Sequence, residues 1–263
     1  MTANEMKFNF QLKFDSLFEF SAPAYDDRQI SYLLTEAQFR VFIKRYNPFA
    51  NKYQKGFEAD EQRRRDLEQL IKPALYDSAD PTGAAVDDGV EAIIESTYQG
   101  GVHPNGVFLD MPGDFLYAVE EATRLMSEAY GDEDIEPKEA WVKPVKHDEY
   151  LANINNPYKQ PYKDLVWRMD ISRYTHPVGE VAGTSKRTEL ILPDGYDIYT
   201  YRIRYLATPP SIVVDEFDAT NQVHCILDET LHREIVDEAV IIAQAAVKPE
   251  QYQVGVNEQE RND

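Results

Sequence analysis

The residues that most often carry chemistry are present in this sequence, but their spacing does not build a site. The five histidines are scattered, and no two have the HxxxH or HExxH spacing that places two imidazoles on one metal ion. They are His103, His147, His176, His224 and His232. Gly183-Thr184-Ser185-Lys186 resembles part of a phosphate loop, but a strand pattern follows it where GxxxxGK[ST] requires a helix. The acidic run at residues 131–136 lacks the ligand spacing of a calcium loop. The sequence therefore predicts no catalytic residue, no metal and no cofactor.

The charge balance restricts the partners that this chain can hold. It has 27 basic and 47 acidic residues, a net charge of −20. Stable wrapping of nucleic acid needs a basic surface, so that function is disfavoured. An acidic surface can instead line a channel through which DNA slides without sticking, because like charges repel. Solubility alone also accounts for the acidity.

The remaining composition is that of a globular protein without membrane or secretory signals. No run of about 18 apolar residues is present, which excludes a spanning helix, and the N-terminus lacks the basic and apolar regions of a secretory signal. We expect the chain to fold in a reducing cytosol. The single cysteine, Cys225, excludes an intramolecular disulfide, and its apolar neighbours predict a small buried thiol.

The N-terminal segment, residues 1–25, fits two patterns. Alternation of apolar and polar residues is typical of a strand or extended arm, whereas the i, i+4, i+7 spacing that begins at Phe10 is typical of an amphipathic helix. In either case an apolar row near a chain end needs a covering surface, in this subunit or in a neighbour. The candidate assembly residues of this segment are Phe8, Phe10, Leu12 and Phe14.

Helices are predicted over about residues 26–76. The first covers residues 26–46, with a break or second start near Leu34 because Thr35 and Gln38 resemble a capping box. The second covers about 57–72 and is ended or kinked by Pro73. Residues 77–106 are rich in turn residues, with a short helix or strand at 90–98.

A β-rich body is predicted over about residues 106–217. Short apolar segments separated by Pro, Gly and Asp are typical of an antiparallel β-meander. The segments are 106–110, 115–126, 140–146, 164–173, 188–192, 197–206 and 211–215, of which 115–126 also fits a helix. The clearest predicted hairpin joins 188–192 to 197–205 through the turn at 193–196. One face of its second strand is mainly aromatic and supplies further candidate interface residues, which are Tyr199, Tyr201 and Tyr205.

The chain ends with a predicted helix at about 229–246, capped by Asp228, and a polar tail at 249–263 in which Tyr252 is a further interface candidate. The predicted fold class is α+β, with N-terminal helices, a β-meander body, a C-terminal helix and an extended tail. Residues 26–248 are predicted to form a single α+β domain, because no long linker separates the helices from the strands.

Several motifs, taken in their order along the chain, resemble the neck-ring proteins of tailed phages, particularly those of crAss-like phages. The resemblance covers most of residues 26–245, and its last motif is the most persuasive. The motifs are residues 34–46 (LTEAQFRVFIKRY), 57–67 (FEADEQRRRDL), 106–117 (GVFLDMPGDFLY), 147–150 (HDEY) with 156–161 (NPYKQP) and 166–168 (VWR), 201–205 (YRIRY) with 209–212 (PPSI), and 227–236 (LDETLHREIV).

The resemblance implies a structural subunit of the virion neck, not an enzyme. Proteins of that kind form closed rings, typically twelvefold, that act as head-to-tail connectors below the portal and guide DNA out of the capsid. The expected partners are other copies of the chain, the portal, other neck or tail proteins and DNA in transit.

The aromatic residues of the chain are also compatible with a second function. A receptor- or carbohydrate-binding virion protein would use exposed tyrosine or tryptophan rings to stack on sugars. Trp141 and Trp167 lie in predicted strands and are expected in the core, which ranks this function lower. A hydrolase with an unrecognised site ranks last.

Overall fold

The computed structural model describes residues 1–17, 25–47, 57, 60–79, 89–96, 100–101, 103, 105–127, 137–175, 184–215 and 219–247. The chain divides into two compact units. Unit 1 comprises residues 1–70 and 209–263, and unit 2 comprises residues 71–208. The helices of the described part are α1 (Ala3–Leu17), α2 (Asp27–Tyr46), α3 (Glu61–Leu67), α4 (His147–Ile154) and α5 (Glu229–Val247), and only α4 belongs to unit 2. None of them is long and apolar enough to cross a membrane.

Residues 3–17 of the N-terminal segment form the helix α1, so the helical alternative of the sequence is the correct one for them. Ala3, Met6, Phe10 and Phe14 are buried along one side of α1, and α1 packs against α5. Phe14 also meets the ring of Tyr25, with the centroids 5.2 Å apart. A strand would have divided these apolar side chains between two faces, whereas the helix buries them on one.

Helix α2 is continuous, and the predicted break near Leu34 is wrong. Its N-cap is Asp26, which forms a reciprocal capping box with Gln29. Thr35 instead donates its hydroxyl to the carbonyl of Ser31 and accepts from the backbone N–H of Ile212. Gln38 donates to the carbonyl of Pro210. These polar side chains of α2 therefore hold the segment at residues 210–214.

The chain leaves unit 1 through a short 3-10 turn, Glu68–Leu70, that follows α3. The predicted helix over residues 57–72 is thus shorter, and the strand β1 (Ile71–Asp77) runs through Pro73. Helices do not extend to residue 76 because Ala74 and Tyr76 alternate into the core of a sheet.

Unit 2 contains one sheet whose remaining strands are β2 (Glu91–Ala92), β3 (Ile94–Glu95), β4 (Gly106–Asp110), β5 (Phe115–Ser127), β6 (Lys138–Pro144), β7 (Leu165–Thr175), β8 (Thr184–Ile191) and β9 (Tyr196–Ala207). The strand order is β2-β1-β9-β5-β6-β7-β8-β4-β3. β2 pairs in parallel with β1, and β3 pairs antiparallel with β4. β2 and β3 are the two edge strands of this order, and both belong to the short segment 91–95. The two edges of the sheet therefore lie close together, and the sheet is nearly closed.

This topology confirms an α+β protein and corrects the predicted meander. The sheet is mixed, because β6 and β7 are parallel and joined by a crossover that contains α4, a helix that the sequence analysis missed. The predicted hairpin is also wrong: β8 pairs with β4 and β7, and β9 pairs with β1 and β5. Residues 115–126 are a strand, whereas residues 211–215 form only an isolated bridge, Val213 to Val223, in unit 1.

The inner face of the sheet encloses the main core of unit 2. Its largest members are Tyr201, Tyr205, Phe115 and Tyr76, with Leu109, Leu125, Val166, Leu190 and Ile203 between them. A second cluster lies beneath α4, where Tyr150 and Val145 cover Trp167, Met169 and Ile191. Two consecutive residues of β7, Val166 and Trp167, thus pack in different clusters, as expected for a strand that is covered on both faces.

Candidate functional site

The predicted interface residues of α1 divide into two groups. Phe10 and Phe14 are buried within unit 1, whereas Phe8 and Leu12 are 65% and 59% exposed. The two groups lie on nearly opposite sides of the helix, because each residue is rotated by about 100° from the one before it and the groups are offset by two residues. Only Phe8 and Leu12 are therefore available to another molecule.

The aromatic face of β9 points mainly into the sheet. Tyr201 and Tyr205 are fully buried, and their hydroxyls donate to the carboxylates of Glu121 and Asp114 at 3.0 and 2.9 Å. Tyr199 is half-buried. Tyr252 and the tail at 249–263 lie outside the described residues, as do His176, Gly183 and the acidic run at 131–136.

A buried polar cluster lies inside the sheet and is the feature closest to a catalytic arrangement. The guanidinium of Arg168 contacts the carboxylate of Glu121 and lies 3.4 Å from Asp170, which also binds the ammonium of Lys186 at 2.8 Å. Burial raises the pKa of Glu121, and it raises the pKa of Tyr201 well above its usual range. In this cluster each carboxylate has a cationic partner within 4 Å, so the cluster is a neutralised network and offers no activated nucleophile.

A second buried ion pair joins neighbouring strands of the sheet. Arg187 of β8 donates two hydrogen bonds to the carboxylate of Asp110 of β4, at 2.7 and 3.1 Å. Both side chains are about 6% exposed. The two-pronged geometry fixes the register of these strands, which is a structural role.

The four described histidines make separate contacts. Among the described residues, no group of three or more His, Cys, Asp or Glu side chains converges as metal ligands would. His232 is buried and its Nε2 lies 2.9 Å from the carbonyl of Leu227, while Nδ1 of His224 accepts from the N–H of Ala3. His147 contacts the carbonyl of Asp170 through Nε2. These contacts attach backbone segments to one another.

The exposed aromatic side chains of unit 2 were not expected from the sequence. Trp167 is 1% exposed, as predicted, but Trp141 is 78% exposed on the outer face of β6. Period-two alternation contained this signal, because Trp141 falls on the same face of the strand as the charged residues Glu139 and Lys143. Tyr158 and Tyr162 are also exposed, and both follow α4. Exposed aromatic side chains among charged ones are typical of contacts between proteins.

Comparison with known proteins decides the family. Residues 1–253 match the family described as phage tail ring protein 3/4. The chain belongs to the phage tail ring protein 3/4 family. It is thus a structural ring protein of a bacteriophage, as its resemblance to the ring proteins of crAss-like phages predicts.

Two curated ring proteins of Bacteroides phage crAss001 are similar along most of their length. "Ring protein 4/5" is 24% identical over 256 residues, covering 94% of this chain and 93% of that protein. "Ring protein 3" is 28% identical over 225 residues, covering 83% of this chain and 84% of that protein. The similarity to ring proteins therefore spans both units.

Proposed function

We propose that this chain is a structural subunit of a neck or connector ring that joins the portal to the tail and forms part of the DNA exit channel. The observation that carries the proposal is the match to the ring protein family over residues 1–253. The protein acts by assembly and not by catalysis. The neutralised polar cluster around Arg168 is consistent with this, because it holds strands together and presents no reactive group.

The proposed assembly is a closed ring of twelve copies, together with the portal and other neck or tail proteins. A closed ring needs head-to-tail contacts, in which one surface of each subunit meets a different surface of the next. The exposed residues of α1, Phe8 and Leu12, and the exposed aromatics of unit 2 supply two such surfaces. The net charge of −20 per chain favours passage of DNA without adhesion.

The ring is tested with the purified full chain by sedimentation and negative-stain electron microscopy. We expect closed rings with a mass of twelve times the 30.3 kDa of one chain. The position in the particle is tested by labelling intact virions with an antibody raised against the protein. Label at the junction of head and tail supports the connector function, and label confined to fibres or the tail tip contradicts it.

A receptor- or carbohydrate-binding function is the second candidate, and the exposure of Trp141 is the observation that favours it. An exposed indole can stack on a sugar ring. Binding on a glycan array that is lost in Trp141→Ala would support this candidate. Label at the tip of the particle would support it independently.

A further inference from the structure

The outer surface of residues 138–165 is unusually rich in exposed apolar side chains. This stretch comprises β6, α4 and the loop that leads into β7, and we call its outward face the crossover surface. More than half of the large apolar side chains that are exposed in the described part of unit 2 lie on it. They are Trp141, Leu151, Tyr158 and Tyr162, with exposed fractions of 78%, 67%, 93% and 52%.

The same surface carries several lysines that form no ion pair with any residue the structure describes. Lys143, Lys146, Lys159 and Lys163 are all exposed. None of these lysines has a carboxylate within ion-pair distance among the residues that the structure describes. In contrast, most basic side chains elsewhere in the described chain are paired, for example Lys44 with Glu238 and Arg204 with Glu120. Among the described residues, most of the basic side chains without an ion pair therefore lie in the same stretch as the exposed aromatic rings.

The crossover surface is held rigidly by the sheet beneath it. The backbone N–H of Trp141 donates to the carbonyl of Asp164, and that of Val145 donates to Arg168, both at 2.9 Å. Under α4, the ring of Tyr150 lies edge-on against Trp167, with the centroids 6.3 Å apart. Trp141 and Tyr162 both contact the backbone of Leu165, one through strand pairing and one through a bridge, which brings the two ends of the surface together. A surface that is already ordered loses little conformational entropy on binding.

The charge of the whole chain indicates what this surface binds. Residues 138–165 contain five lysines and four acidic residues, which gives this stretch a net charge of +1. Because the whole chain carries −20, the rest of the chain carries −21. A second copy of the chain is thus a strongly acidic body, and residues 138–165 are a nearly neutral, aromatic part of the chain that adds no repulsion to this contact and offers lysines to it. Tyrosine and tryptophan are enriched at the centre of protein interfaces, where they supply most of the binding energy.

We infer that the crossover surface is one half of the head-to-tail contact between neighbouring subunits and docks on an acidic face of the next copy. This inference rests on the proposed ring assembly and assigns it a surface. The indole of Trp141 and the phenols of Tyr158 and Tyr162 supply the apolar contact, and the lysines select the acidic partner.

The two tryptophans of the chain allow a direct test on the full-length protein. Trp141 is exposed and Trp167 is buried, so acrylamide quenches only Trp141 in a single subunit. The variant Trp141→Phe gives the signal of Trp167 alone, which is subtracted. We expect Trp141 to be quenched in dilute, unassembled protein and to become as protected as Trp167 at concentrations at which sedimentation detects rings.

A charge-reversal variant tests the lysines. Lys143→Glu, Lys146→Glu and Lys159→Glu are combined in one chain and compared with a control that carries Arg28→Glu, Arg64→Glu and Arg233→Glu on exposed positions of unit 1. Each variant makes the net charge of the chain more negative by six, so the general repulsion between subunits is the same in both. We expect the crossover variant to remain unassembled at concentrations at which the control forms rings, with the unfolding of its monomer unchanged.

The outcomes separate this inference from the proposed function. The inference is overturned if acrylamide still quenches Trp141 in assembled rings and if both charge variants form rings equally well. That result would leave the proposed ring function intact. Protein that never assembles contradicts both. Protection of Trp141 only after addition of duplex DNA would assign the surface to nucleic acid and overturn the inference.

Discussion

At the scale of single residues, the buried pair of Arg187 and Asp110 contributes to the stability of the sheet. Replacing Arg187 by Met leaves the carboxylate of Asp110 buried without its bidentate partner, and we expect a loss of about 3–5 kcal/mol in the free energy of unfolding. Urea denaturation measures this loss. The matched control is Arg204→Met, because Arg204 and Glu120 also join neighbouring strands but are both more than 60% exposed, and we expect it to cost under about 1 kcal/mol. Equal losses in the two variants would contradict the structural role of the buried pair.

Cys225 is expected to be chemically inert in the folded protein. Burial raises the pKa of its thiol to about 11, so at pH 8 the reactive thiolate is a minute fraction of the folded state. Because the folded pKa exceeds the unfolded one, folding favours the protonated thiol, and its contribution to stability decreases as the pH rises above the unfolded pKa. Ellman's reagent should react slowly at pH 8 and rapidly once urea unfolds the chain. Rapid reaction in native buffer would show that the thiol is accessible and is not buried as described.

At the scale of elements, we expect the buried side of α1 to contribute to the stability of the monomer and its exposed side to contribute to assembly. Phe14 is 2% exposed and packs against Phe10 and Tyr25, so Phe14→Ala should lower the free energy of unfolding of the monomer by about 3–5 kcal/mol. Phe8 is 65% exposed on the same helix, so Phe8→Ala should leave the monomer within about 0.5 kcal/mol of wild type. If the exposed side of α1 contacts a neighbouring subunit, Phe8→Ala weakens ring formation in sedimentation experiments. Assembly of Phe8→Ala at wild-type concentrations would limit α1 to its own subunit.

The elements also show which part of the fold could be predicted from the sequence. Local patterns located α2, α5 and most strands, because the apolar residues of each element repeat with its period. Pairing could not be predicted in the same way. The turn after β8 resembles a hairpin turn, with Gly195 at a φ of +76°, yet β8 and β9 each pair with strands distant in sequence. Helix α4 has only eight residues, so its apolar stripe consists of little more than Tyr150 and Ile154 and is too short to detect as a helical period.

The sequence indicated which types of residue could form an interface, but it did not indicate which of those side chains are exposed. Aromatic residues were selected from the sequence as interface candidates, but Tyr201 and Tyr205 donate hydrogen bonds inside the sheet while Trp141, which was expected in the core, faces outward. The direction of a strand's two faces depends on how the sheet curls, which is set by nonlocal pairing. For Trp141, the charged neighbours on its own face were the available local signal.

At the scale of the whole molecule, we propose that the two units unfold together. The chain passes from unit 1 into unit 2 between Leu70 and Ile71, where a 3-10 turn leads directly into β1 without a linker. It returns at residues 208–209, directly after β9. Calorimetry of the unassembled protein should therefore give one transition, with equal calorimetric and van't Hoff enthalpies. Two resolved transitions would establish separate domains and replace the single domain predicted for residues 26–248.

The net charge leads to a prediction about DNA. A ring of chains that each carry −20 repels the phosphate backbone, so assembled protein should not retain duplex DNA in a gel-shift assay at about 0.15 M salt. The crossover surface is the part of the chain where DNA could still bind, because its lysines form no ion pair with any described residue of their own subunit. Subunit contacts that cover these lysines remove the cations from reach, so the unassembled protein should bind DNA weakly and the ring should bind it less. The matched comparison is the crossover charge-reversal variant, which should lose the weak binding of the unassembled protein. Binding that grows on assembly, and weakens steeply with added salt, would instead indicate a cationic channel and contradict the proposed passage of DNA without adhesion.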